Sequence, residues 1–231
     1  MNRVGLLLPS SNTTMEPEFY SMAPESITVH SARMLLQEVT VNSLEKMAEE
    51  AVNAAKLLST ADVDQILYGC TSGSLLKGIK WEESLVNKIQ KETGTPTITT
   101  AGAVVEALKE VGATNVSVLT PYIDELNRLE KRFLEDHGFY VSNITGLGLK
   151  DNLVIGRVQH DDIMRIIDPS PDADCLFISC TNLPVVKFIQ KLESRFNLPV
   201  VTSNQASMWA VLRAVYDMPI EGYGRLLTHL Q

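Results

Sequence analysis

The sequence predicts an α/β fold made of two alike halves, each built on a parallel sheet. Three observations carry this. Short apolar runs alternate with amphipathic stretches, the same order of elements starts again near residue 116, and matching side chains recur at one fixed spacing.

Taken in order, Val4 to Leu8 is a continuous apolar run, as in a strand covered on both faces, and it runs into the polar loop Pro9-Ser10-Ser11-Asn12-Thr13-Thr14. Ile27 to Leu36 alternates as a second strand. Asn42 to Leu58 places Leu44, Met47, Ala48, Ala51, Ala54, Ala55 and Leu58 at helical spacing. Val63 to Tyr68 is the third strand, followed by Gly69-Cys70-Thr71-Ser72. Trp81 to Thr93 reads as a helix, Thr97 to Thr99 as a strand after Pro96, and Ala101 to Val111 as a helix stopped by Gly112.

The order then repeats. Val116 to Leu119 is a strand with the loop Thr120-Pro121-Tyr122, Asp124 to His137 a helix ended by Gly138, and Phe139 to Ile144 a strand. Asp161 to Ile167 is a short helix, and Cys175 to Ile178 a strand leading into Ser179-Cys180-Thr181-Asn182. Pro184 to Phe196 reads as a helix, Val200 to Thr202 as a strand, and Ala206 to Tyr216 as the last long helix.

The register between copies is specific. Cys70 and Cys180 are 110 positions apart, as are Asn12 and Tyr122, Asn42 and Asn152, and Asp62-Val63-Asp64 and Asp172-Ala173-Asp174. Thr95-Pro96-Thr97-Ile98-Thr99 meets Leu198-Pro199-Val200-Val201-Thr202 at 103, so the second copy is about seven residues shorter beyond its cysteine. The expected boundaries are 1–112 with 205–231 for the first half and 113–204 for the second. Doubly wound units bind ligands at the carboxyl ends of their strands. Two such edges facing each other would bring Asn12, Asn42 and Cys70 opposite Tyr122, Asn152 and Cys180.

Composition narrows the chemistry. With 20 basic and 28 acidic residues the net charge is -8, and no Lys/Arg stripe is present, so neither nucleic acid nor an anionic membrane is an expected partner. The chain begins Met-Asn-Arg and passes straight to a strand pattern, and no apolar run reaches the roughly 18 residues of a spanning helix, so a cytoplasmic protein is expected. The three cysteines have no framework spacing. There is no CxxC, HxH or HExxH, and the histidines (His30, His137, His160, His229) lie in unrelated contexts, so no metal site is expected. GxGxxG and Walker sequences are lacking too, and Gly146-Leu147-Gly148 is too short a match. No cofactor is expected.

Cys70 and Cys180 each end an apolar run just before a turn or helix start, where unpaired N–H groups lower a thiol pKa. A thiol near pKa 8.5 is only about 3% ionised at pH 7, and a helix terminus worth up to roughly 2 kcal/mol lowers it by about 1.5 units. The expectation is a partly ionised nucleophile with a second thiol as proton donor. Asn12, Asn152, Tyr122, Thr71, Ser72, Thr181 and Asn182 are uncharged donors suited, with backbone N–H groups, to holding the carboxylates of a small dicarboxylate or amino acid.

Five stretches in this order carry a resemblance over essentially the whole chain: Pro9 to Glu18, Gly69 to Ser72, Thr120 to Tyr122, Asp151 to Arg157, and Ser179 to Leu183. Together they resemble the maleate cis-trans isomerases of the aspartate/glutamate racemase superfamily. The resemblance implies two Rossmann-like halves related by a pseudo-twofold axis, with the active site between them. It implies that Cys70 adds to an alkene carbon of maleate, giving a succinyl-cysteine intermediate, that Cys180 supplies the proton, and that Asn12, Tyr122 and Asn152 bind carboxylates. It also implies a homo-dimer or higher homo-oligomer. Arylmalonate decarboxylases resemble the chain in architecture but keep only the second cysteine, with glycine at the first, so Cys70 counts against decarboxylation. A two-thiol racemase or epimerase and a non-catalytic binding protein for small acids are the other readings.

Some residues have plainer explanations. Cys175 lies inside an apolar strand and reads as core, as do Met208 and Trp209 in the last helix. Asn42 reads as a helix cap, and His160, beside Asp161 and Asp162, as a solvated helix start.

Overall fold

The structure, a computed structural model, describes residues 1–213, 215–216 and 218–228. His229 lies outside the described residues, and so does part of the stretch expected to continue the last helix to Tyr216.

Eight strands and ten α-helices follow one another among the described residues. The first half contains β1 (Asn2–Pro9), α1 (Met15–Met22), β2 (Ile27–Met34), α2 (Val41–Ser59), β3 (Gln65–Tyr68), α3 (Thr71–Leu75), α4 (Ile79–Thr93), β4 (Thr97–Thr99) and α5 (Thr100–Glu110). The second contains β5 (Asn115–Thr120), α6 (Asp124–Asp136), β6 (Tyr140–Gly146), α7 (Asn152–Ile155), α8 (His160–Ile166), β7 (Cys175–Ile178), α9 (Ile189–Phe196) and β8 (Val200–Thr202), and α10 (Ser203–Leu212) follows it. A 3-10 turn at Val186–Phe188 precedes α9, and another at Arg225–Thr228 ends the described chain.

The two sheets have one topology. The first runs β2-β1-β3-β4 and the second β6-β5-β7-β8, with every strand pair parallel. Strands β1 and β3 lie side by side with Leu7 opposite Tyr68, and β5 and β7 with Leu119 opposite Ile178. Each sheet reverses its winding between these two central strands. The loops that leave their carboxyl ends diverge, and a crevice opens there.

The repeat extends to local signals. Thr99 caps α5 by accepting the N–H of Gly102, and Thr202 caps α10 by accepting that of Gln205, the same device at the 103-residue offset. Helix α2 buries the predicted stripe from Leu44 to Leu58, but its cap is Thr40, which accepts the N–H of Ser43; Asn42 sits exposed in the first turn. Helices α5 and α10 pack together at the junction of the halves, and α10 also meets α1. No helix among the described residues is long and apolar enough to cross a membrane.

Candidate active site

The thiol loops owe their shape to close packing. Any Cβ at Gly69 would stand 2.7 Å from the sulfur of Met15 and 2.9 Å from Leu8, so only glycine lets α1 close over the end of β3. Cys70 then caps α3, its sulfur accepting the Gly73 N–H at 3.4 Å with the Ser72 hydroxyl 3.8 Å away. Cys180 turns differently. It holds a left-handed φ of 99°, a strained choice for a side-chain-bearing residue, and its sulfur accepts the Asn182 N–H at 3.4 Å.

These loops enclose one small cavity. Cys70, Thr71 and Ser72 line it from one half and Cys180, Thr181 and Asn182 from the other. Asn12, Tyr122 and Asn152 complete its polar wall, and Pro9, Leu36 and Val39 its apolar part. All nine site residues expected from the sequence meet here, whereas Asn42 and His160 do not. Cys175 is buried in β7, as expected. Among the described residues no three His, Cys, Asp or Glu side chains group as metal ligands.

Each donor is aimed by its neighbours. Asn12 accepts the N–H groups of Thr14 and Met15 through Oδ1, which fixes its amide, and donates from Nδ2 to Thr181 Oγ1 at 3.0 Å. Arg33 donates to the Asn12 carbonyl and pairs with Glu16, bracing the same loop. Asn152 donates from Nδ2 to Ser11 Oγ at 2.8 Å; Asp151, not Asn152, caps α7. Asn182 uses both ends of its amide as a fastener, accepting from Thr13 N and donating to the Asn152 carbonyl.

Ser203 is the residue that inspection of the sequence missed. Its hydroxyl accepts from Thr71 Oγ1 at 2.8 Å and from the Cys180 N–H at 2.9 Å, so one side chain ties both thiol loops together. The repeat offered the signal: Ser203 stands 103 positions after Thr100, each the first residue of its helix.

A two-residue antiparallel contact crosses between the halves above this cavity. Val39 N donates to the Lys150 carbonyl at 2.7 Å, Asn152 N donates to the Gln37 carbonyl at 3.0 Å, and Glu38 bridges to Asp151. With this contact made, the cavity measures about 10 Å³, room for about one water. A roomier cleft of about 730 Å³ lies along α4, β4 and α5, but its polar lining is a mixture of Glu82, Glu106, Lys109, His137 and Arg213 with no thiol. Chemistry, not size, marks the smaller cavity as the candidate site.

Burial changes the expected electrostatics. It pushes the Cys70 thiol up to about 11, against the opposing pull of the Gly73 N–H and Ser72. It pushes Cys180 up to about 12, opposed by the Tyr122 hydroxyl and the Asn182 N–H. The expectation of a thiol lowered by a helix start is therefore corrected: in the closed pocket desolvation of the thiolate outweighs the N–H groups. Tyr122 is itself raised well above its ordinary value by burial and by the neighbouring Cys180.

The chain is similar throughout its length to known proteins. The family model described as arylmalonate decarboxylase matches residues 4–227. A maleate isomerase of Pseudomonas putida is 32% identical, with 98% of this chain and 97% of that protein covered. The solved structure of a Pseudomonas putida maleate isomerase with maleate superimposes at a TM-score of 0.93 with 30% identity, covering 98% of this chain and 97% of that one. A Nocardia farcinica maleate cis-trans isomerase, in a variant with a covalently bound succinylcysteine intermediate, also superimposes at 0.93, with 26% identity and 98% of both chains covered. The chain belongs to the arylmalonate decarboxylase family and, within it, stands with the maleate isomerases.

Proposed function

We propose that this protein is a cofactor-independent isomerase that converts maleate to fumarate through a succinyl-cysteine intermediate. The observation that carries this is the meeting of two thiols from opposite halves in one closed cavity whose other polar groups are uncharged donors. Cys70 is the nucleophile. That is the role the resemblance gives it, and its sulfur accepts the Gly73 N–H with the Ser72 hydroxyl beside it.

The Cys70 thiolate bonds to one alkene carbon, and the π pair moves to the neighbouring carbon, next to a carboxylate. That carbon takes the proton of the Cys180 thiol. The new single bond rotates. The Cys180 thiolate then removes the proton, the double bond re-forms as trans, and the carbon–sulfur bond breaks to restore the Cys70 thiolate. Negative charge spreads onto the carboxylate during addition, where Asn12, Asn152, Tyr122, Thr71, Ser72 and Thr181 would hold it; one such donor is worth about 3 kcal/mol. The Nocardia farcinica structure supports the covalent step by the intermediate it contains.

Maleate turnover followed at the alkene proton signal tests this, with aspartate, glutamate and phenylmalonate in parallel. Fumarate is the expected product. Cys70→Ser is expected to abolish turnover, and Cys180→Ser to accumulate the mass of one intact maleate on the Cys70 peptide. An adduct on Cys180 in Cys70→Ser would reverse the roles. Racemisation or carbon dioxide release without fumarate would overturn the assignment.

A further inference from the structure

Tyr68, the last residue of β3, is fully buried, and its hydroxyl has no hydrogen-bond partner among the described residues. Leaving such a group unpaired costs roughly 1–3 kcal/mol, and native folds seldom tolerate it. Its position suggests why it is kept. A Cβ built on Gly73 would lie 3.0 Å from the Tyr68 hydroxyl and 3.1 Å from the Cys70 sulfur. Hydroxyl and sulfur are thus no more than about 6 Å apart, around a point where glycine puts no side chain of its own and which the Met47 methyl also borders at 3.0 Å. The position 110 residues on is Ile178, which carries no donor, and the hydroxyl beside Cys180 comes instead from Tyr122 in the loop after β5.

We propose that Tyr68 is a positioning residue for the nucleophile: its buried hydroxyl donates to the Cys70 sulfur when that sulfur is a thiolate, and thereby stabilises the ionised form of Cys70. The inference rests on the reading of Cys70 as nucleophile. It also accounts for a buried hydroxyl that the neutral thiol leaves without a strong acceptor, because a thiolate is a far better one. Burial and the adjacent Cys70 both hold Tyr68 protonated, so it remains a donor.

The test compares Tyr68→Phe with the parent protein in the absence of substrate. Iodoacetamide labelling of the Cys70 and Cys180 peptides is followed by mass spectrometry between pH 7.5 and 9.5, beside the thermal midpoint. Loss of a hydrogen bond to a charged group is expected to slow Cys70 labelling about tenfold, with Cys180 labelling unchanged and the midpoint equal or higher, since an orphan hydroxyl has been removed. Unchanged Cys70 labelling overturns the proposal. So does an equal change at both cysteines or a lowered midpoint, either of which marks Tyr68 as packing alone. Labelling needs no turnover, so failure of this proposal is distinguishable from failure of the maleate assignment.

Discussion

Cys70 stands between two opposed effects, the N–H groups of the turn that starts at its own position and the desolvation of a closed cavity. The first is worth about 1.5 units of thiol pKa, and the second is larger here, since the net result is a rise to about 11. Sequence showed the first effect because strand, cysteine and hydroxyl residues are contiguous. It could not show the second, which comes from Leu36, Val39 and the opposite half. A consequence follows for reactivity. Below its pKa the thiolate fraction grows tenfold per pH unit, so labelling of Cys70 by iodoacetamide in the parent protein is expected to climb about tenfold per unit from pH 7 to 9.5. A plateau near pH 8 would show that the N–H groups prevail and that burial is relieved in solution.

At the level of elements, the strands were legible with little error: Thr97–Thr99, Cys175–Ile178 and Val200–Thr202 fall where apolar runs and their prolines put them. Helices that position the site were harder. Helix α1 carries Pro17 in its first turn and Glu16 and Glu18 among apolar residues, and α3 is Thr-Ser-Gly-Ser-Leu, a composition of turns. Both owe their helical state to tertiary packing rather than to propensity. The stretch from Pro184 to Phe196 is divided, with a 3-10 turn before α9, because the loop at Val185 and Val186 gives its N–H groups to Glu18. The packing of α1 on the end of β3 gives a test. Gly69→Ala forces a methyl against Met15 and Leu8 and is expected to cost about 1–3 kcal/mol in urea unfolding. Met15→Ala in the same chain is expected to recover part of that loss, so the double-mutant cycle gives a coupling of at least about 0.5 kcal/mol. Simple additivity would mean that α1 does not press on the glycine.

Across the whole molecule, the duplicated register foretold both sheets and brought every expected site residue to one cavity, since matching loops leave matching strands. It was silent about two buried carboxyls at the junction, Glu18 and Glu130, because their repeat positions hold Arg128 and Tyr20. From α1, Glu18 accepts the N–H groups of Val185 and Val186 and the Asn204 amide, all in the second half or the helix after it. Glu130, buried in α6, faces the Ser179 hydroxyl without closing a hydrogen bond of normal geometry. Burial raises Glu18 to about 7 despite its three donors, and raises Glu130 to about 8 with only Ser179 opposing. The sign is set by these directions. A carboxyl whose folded pKa exceeds its unfolded value binds its proton more tightly in the native state, so its contribution is full below about pH 4.5 and is lost as pH rises through 7 and 8. Each group is expected to remove on the order of 2 kcal/mol between pH 5 and pH 8. Urea unfolding at the two pH values should therefore find the protein less stable at pH 8, and Glu130→Gln, which cannot ionise, should reduce the difference by about half. If the parent is as stable at pH 8 as at pH 5, or if Glu130→Gln leaves the gap unaltered, the junction between the halves does not hold a protonated Glu130.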